Sequence, residues 1–173
     1  CVLFGDGAGA MVVTADDTKA FYSVSGSDGS KGHVLTGGAT LLKNMLVNSE
    51  ETNIMTDNYY MHMDGQEVFK FAVTKVPECI NEVLTKANLT AEDIDCFILH
   101  QANVRIISSV AKRLGVSPDK LPINLNKYGN TSAATIPILF DELKKSGSLD
   151  NAKRVIFSGF GGGLTWGASL VEL

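Results

Sequence analysis

Four clusters in the sequence hold groups able to do chemistry. His100-Gln101-Ala102-Asn103 closes the apolar run Cys96 to Leu99, which reads as a buried strand. His100 then stands at the carboxyl end of a strand, the edge where sites form in open α/β sheets. A lone His at such a place is more often structural than catalytic; the four residues together add some weight to function. Asn103 opens a helix, and its plain role there is an N-cap. Asn126 to Ala133 reads as strand, tight turn and helix start. Asn130 within it either closes a turn ahead of a Thr or Ser cap, or offers its amide N–H to a substrate carbonyl. Gly161-Gly162-Gly163 lies between two strand-like runs. Backbone N–H groups there can approach a ligand closely and stabilise an oxyanion; a tight hairpin is the alternative. Gly5-Asp6-Gly7-Ala8-Gly9 overlaps a dinucleotide fingerprint, but a strand-like run follows where the fingerprint needs a helix. Nucleotide binding at this cluster is therefore rejected.

The elements that must position these groups follow from apolar spacing. Phe69, Ala72, Val73, Val76, Ile80, Val83, Leu84 and Ala87 recur at steps of three and four, predicting a helix over Glu67 to Lys86. Val104, Ile107, Val110, Ala111 and Leu114 predict a second helix over Val104 to Leu114, stopped by Gly115. Strands are expected at Val2 to Phe4, Ala10 to Thr14, Phe21 to Ser25, Cys96 to Leu99, Pro122 to Leu125, Arg154 to Ser158 and Leu164 to Leu173. Ser132 to Lys145 reads as a helix whose first turns are apolar almost all round, so expected to be buried on all sides. Gly26 to Met63 follows no period and is long for a plain loop. Alternating β and α segments that end in a hairpin argue for a layered α/β fold.

Composition narrows the function classes. The chain has 173 residues, 45% apolar and 20% charged, enough for one packed core. No apolar run approaches the roughly 20 residues of a membrane helix, and no signal peptide is visible. A net charge of −4 argues against general nucleic-acid binding. Against that background, Arg105, Lys112, Arg113, Lys120 and Lys127 face only Asp119 between His100 and Lys127, five cations against one anion. On charge alone this is a solvated helix face; an acidic partner is the other reading. Cys1, Cys79 and Cys96 show no metal-ligand spacing. Cys79 and Cys96 are expected as small buried hydrophobes, and an odd count fits a reducing cytoplasm. The opening Cys1-Val2-Leu3-Phe4 reads as mid-strand, which suggests a fragment of a longer protein.

Five ordered motifs carry a family resemblance: Phe4 to Ala10, Asp64 to Val73, His100 to Ile107, Gly129 to Ala134, and Phe160 to Gly167. Together they resemble the β-ketoacyl-acyl-carrier-protein synthase III family of condensing enzymes, in its carboxyl-terminal half. The resemblance implies a thiolase-like half over 1–173, layered α/β with a mixed, mostly parallel sheet of about five strands. It implies that the nucleophilic Cys lies in an amino-terminal half and that Cys1 is not that nucleophile. His100 and Asn130 match the family's donors to the thioester oxygen, with the imidazole presenting an N–H. The Gly162 backbone N–H matches a second oxyanion site, shared with that Cys. Gly65, Phe69, Ala102 and Asn103 match the CoA and pantetheine tunnel; Gln66 stands where many members carry Asn or Arg. Arg105 and Lys112, seven apart on one helix, match the carrier-protein docking side, with Arg113 the weaker member.

The function implied by the resemblance is that of a bacterial, cytoplasmic acyltransferase of fatty-acid biosynthesis. It would join an acyl-CoA primer to malonyl-acyl carrier protein with loss of CO2. Its partners would be acyl carrier protein and acyl-CoA, with no nucleic acid and no membrane. The full-length enzyme would be a homodimer; no metal and no cofactor are expected, CoA thioester and phosphopantetheine being substrates. The fragment by itself is expected to be inactive in condensation and to expose an apolar face that a second copy could cover. Two other readings compete: a thiolase-fold acyltransferase using CoA substrates only, and a non-catalytic binding or assembly module in which His100 and Asn130 are structural.

Overall fold

A computed structural model describes residues 3–37 and 61–173. Cys1 and Val2, and most of the irregular stretch 26–63, lie outside the described residues. The central sheet has four strands in the order β1-β6-β5-β4. These are β1 (Phe21–Ser27), β4 (Cys96–Leu99), β5 (Arg154–Gly161) and β6 (Thr165–Glu172). A two-residue pairing of β2 (Leu35–Thr36) with β3 (His62–Met63) stands apart. β4 runs parallel to β5, while β6 opposes both β5 and β1. Three of the four strands thus point one way, and the sheet is mixed as expected; the described residues supply four strands of the about five expected.

Ala10 to Thr14, expected as a strand, forms none. These residues form no ladder, and Met11, Val12 and Val13 are exposed. An apolar run makes no strand when no neighbouring strand takes its N–H and C=O groups. Phe4 does better, making an isolated parallel bridge with Asn130.

Helices cover both faces of the sheet. α1 (Gly65–Ala87) and α2 (Val104–Leu114) pack on one side; α4 (Thr135–Lys145) packs on the other. Side-chain alternation decides which residue meets which layer. Phe97, Leu99, Ile156 and Leu170 join the α1 and α2 core, whereas Cys96, Ile98 and Val155 join Leu139 of α4. β4 is sandwiched, so all four of its residues are buried and its sequence is continuously apolar. Cys79 and Cys96 are free and buried, as expected, and burial raises both thiols to about 11.

Local chemistry sets the helix ends. Asp64 caps α1 by accepting from the N–H groups of Gln66 and Glu67. Asn103 caps α2 by accepting from Arg105 N–H at 2.8 Å, and Gly115 ends it at φ 72. Two expected elements change. Pro122 to Leu125 is not a strand: Leu125–Tyr128 is a single helical turn, α3. Asn124 diverts the backbone by giving its N–H to Gln101 Oε1 instead of a ladder. Ser132 to Lys145 is broken into a 3-10 turn (Ser132–Ala134) and α4. Within α4 only Thr135 and Leu139 are buried, so this helix is not enclosed on all sides in this chain. Pro137 falls in its first turn, where an absent N–H costs nothing.

Candidate active site

His100 leaves the sheet directly after β4, with its N–H donating to the Ser158 carbonyl at 2.8 Å. Its ring lines a cavity of about 400 Å³ with Ser132, Ile136, Gly161 and Trp166. The Phe160 ring packs on it in a T-shaped pair, with ring centroids 5.4 Å apart. Nδ1 stands 2.7 Å from Thr135 Oγ1. Burial pushes the imidazole down to about 4, so the ring is neutral at pH 7 and carries one N–H and one lone pair.

Asn130 is placed by a different device. Gly129 adopts φ 68, a left-handed value that a Cβ would strain, and so turns the chain out of α3. The Asn130 backbone then bonds on both sides to residues near the start of the chain. Its N–H donates to Leu3 O at 3.3 Å, and its carbonyl accepts from Gly5 N–H at 3.0 Å. Gly5 must lack a side chain, because a Cβ there would overlap the Tyr128 carbonyl. The side chain is oriented by Ser132, whose N–H donates to Asn130 Oδ1 at 2.9 Å. A backbone N–H can only donate, so the atom it meets is the oxygen. Nδ2 is therefore the outward end of the amide and makes no hydrogen bond among the described residues. Ser132 has φ 55, uncommon for a residue with a side chain. That conformation lets one residue bind Asn130 through its N–H and Thr135 through its carbonyl.

The two candidate donors are thus joined by an unbroken path from His100 through Thr135 and Ser132 to Asn130. They open on different spaces. His100 lines the smaller cavity, whereas Asn130 lines a groove of about 500 Å³. That groove also gathers Gly65, Phe69, Ala102, Asn103 and Arg105, so the four residues expected in a tunnel and one expected in docking meet there. The Arg105 guanidinium lies 5.5 Å from the centre of the Phe69 ring. Gly162 lies in the β5–β6 turn; its carbonyl accepts from Thr165 Oγ1 at 3.0 Å, and Gly161 rather than Gly162 lines the His100 cavity.

The basic cluster separates into two sets. Lys120 pairs with Glu92 and Lys127 with Glu142. Arg105, Lys112 and Arg113 make no ion pair among the described residues and are exposed on α2. No group of three or more His, Cys, Asp or Glu among the described residues is arranged to hold a metal. No described helix is long and apolar enough to cross a membrane.

Sequence reasoning missed Thr135, Lys70 and Glu142. Lys70 lines the groove one residue after Phe69. Thr135 was visible as a polar residue inside an apolar run. Glu142 accepts from Asn124, Lys127 and Tyr128 at once, and so ties α3 to α4. Its partners are 14 to 18 residues away, beyond any helical period.

Comparison with known proteins supplies the family. The model of the family described as 3-oxoacyl-[acyl-carrier-protein (ACP)] synthase III C terminal matches residues 84–173. The β-ketoacyl-[acyl-carrier-protein] synthase III of Clostridium tetani is 46% identical over 180 aligned positions, covering 99% of this chain and 53% of that protein. The Staphylococcus aureus protein of the same name is 44% identical over 173 positions, covering 99% of this chain and 50% of that one. The crystal structure of the Aquifex aeolicus 3-oxoacyl-[acyl-carrier-protein] synthase III superposes with a TM-score of 0.85 at 39% identity, covering 100% of this chain and 51% of that one. The chain spans about half the length of the curated relatives it matches. With its layered α/β fold and its match to the family model, the chain belongs to the 3-oxoacyl-[acyl-carrier-protein] synthase III family.

Proposed function

We propose that residues 1–173 form the carboxyl-terminal half of a condensing enzyme that elongates an acyl-CoA primer with malonyl-acyl carrier protein. An amino-terminal half supplies a cysteine thiol, which takes the acyl group from CoA. The malonyl C–C bond to the carboxylate then breaks and CO2 leaves. Its electron pair passes into the enolate, whose charge rests on the thioester oxygen. Nε2–H of His100 and Nδ2–H of Asn130 donate to that oxygen in a site partly shielded from water, where such bonds are strong. The enolate carbon attacks the acyl thioester, and the cysteine leaves as thiolate. The backbone N–H of Gly162, with one from the amino-terminal half, holds the oxyanion of that second step.

The observation that carries this reading is the fixed orientation of the Asn130 amide. Ser132 holds Oδ1, so the donor end of the amide, Nδ2, is the end left without a partner among the described residues. The groove bounded by Gly65, Phe69, Ala102 and Asn103 suits the pantetheine arm of CoA or carrier protein. Arg105, Lys112 and Arg113 form a cationic side of α2 for an acidic carrier protein. The working enzyme is a cytoplasmic homodimer, and the isolated chain does not condense. In a full-length protein carrying this sequence, His100→Ala and Asn130→Ala each lower malonyl decarboxylation by about 100- to 1000-fold. Undiminished decarboxylation in either variant sinks the assignment of that donor.

A further inference from the structure

Thr135 is 2% exposed and sits in the otherwise apolar start of α4. Its Oγ1 lies 2.7 Å from His100 Nδ1 and 2.9 Å from the Ser132 carbonyl. A hydroxyl has one hydrogen and two lone pairs, so the two neighbours compete for that hydrogen. The Ser132 carbonyl already accepts the backbone N–H of Thr135. It can give up the hydroxyl hydrogen without being left unpaired. Nδ1 has no second hydrogen-bond partner among the described residues, and the ring packs against the apolar ring of Phe160.

We propose that Thr135 is a positioning residue: its hydroxyl donates to Nδ1 of His100 and so keeps the ring's single proton on Nε2. The inference rests on the donor role proposed above for His100. The neutral ring has only one N–H, and only the Nε2–H tautomer turns it toward a substrate oxygen. In the reverse arrangement Nδ1–H donates to Thr135, which donates to Ser132. Nε2 then presents a lone pair, which repels a developing enolate. One rotation of a buried hydroxyl therefore separates a ring that stabilises the enolate from one that opposes it. The same Ser132 orients Asn130, so the 3-10 turn and the first residue of α4 together set the polarity of both candidate donors.

The test pairs a spectrum with kinetics. In this chain at pH 7, 15N spectroscopy of His100, assigned with His100→Gln, finds the proton on Nε2 and a hydrogen-bonded Nδ1. Thr135→Val moves the Nδ1 resonance and populates the Nδ1–H form, and Thr135→Ser restores the wild-type signal. In a full-length protein carrying this sequence, Thr135→Val lowers the kcat of malonyl-thioester decarboxylation by about 10- to 100-fold with KM nearly unchanged. Thr135→Ser recovers most of the rate. Should the valine variant not fold, Thr135→Ala is read in the same way. A wild-type Nδ1–H ring, a kcat held within about twofold in Thr135→Val, or a serine variant no better than valine overturns the proposal. The two readings fail separately. Undiminished decarboxylation in His100→Ala removes the donor role, whereas its loss there with Thr135→Val unchanged removes this inference alone.

Discussion

The strand end that bears His100 is walled by core on both faces of the sheet, whereas the loop that bears Asn130 hangs from hydrogen bonds near the surface. Behind His100 stand Phe97, Ile98 and Leu99, all buried, and Ser158 receives its N–H. Around Asn130 the supports are Leu3, Gly5, Ser132 and, one turn back, the Glu142 cluster. A core fixes position through close packing, which has one good arrangement. A hydrogen-bonded loop fixes position through many bonds of about 1 kcal/mol each, any one of which can be lost alone. The first support is strong and indivisible; the second is graded.

The largest effect expected from this contrast is at the strand. Phe97 is fully buried between β5 and the α1–α2 layer. Phe97→Ala removes that contact and leaves a cavity, costing about 3–5 kcal/mol. Urea unfolding measures it, and a cost below about 1 kcal/mol would break the claim that packing holds the His100 end.

Next in size is the pH response of His100 itself. Its folded value is about 4, against 6.5 for an unperturbed imidazole, and the cause is burial. Between those values the unfolded chain binds a proton that the folded chain refuses. Stability therefore falls as pH drops from 6.5 towards 4, by up to about 3 kcal/mol, and this contribution is flat below that. His100→Gln removes this contribution to the slope over that window. An unchanged slope would mean that the ring is not shielded, and the contrast with the loop would weaken.

The same division decides what could be read from the sequence. α1, α2 and β4 follow from apolar spacing, because burial on one face or two writes a period into the chain. His100 was legible as a residue closing such a run. The loop side was not. Pro122 to Leu125 passes for a strand until Gln101 Oε1 takes the Asn124 N–H. Ala10 to Thr14 is apolar like a strand, yet no described neighbour pairs with it. Thr135 is a single polar residue whose meaning depends on a His 35 positions earlier. Periodicity reports faces; it does not report which distant donor meets which acceptor. The family resemblance supplied His100 and Asn130 as a pair, but not the Thr135–Ser132 path between them.

The smallest effects separate the donors that converge on Glu142. Its carboxyl is held below the usual carboxylate range, chiefly by the hydrogen bond from Asn124 and then by those from Tyr128 and Lys127. Asn124 is 4% exposed and donates at 2.7 Å. Lys127 reaches the same carboxylate at 3.1 Å with 58% of its side chain exposed. Both bonds tie α3 to α4, so geometry alone would rank them alike. Solvent does not. Removing Asn124 leaves a half-buried carboxylate short of its main donor, and Asn124→Ala costs about 1–2 kcal/mol. Lys127→Ala removes a bond that water replaces and a charge that salt screens, and it costs less than about 0.5 kcal/mol. Raising the salt concentration erases the lysine effect and leaves the asparagine effect in place. Equal costs for the two variants would mean that surface charge, not a shielded amide, holds the Asn130 loop to α4. The loop would then loosen with ionic strength while the His100 end did not.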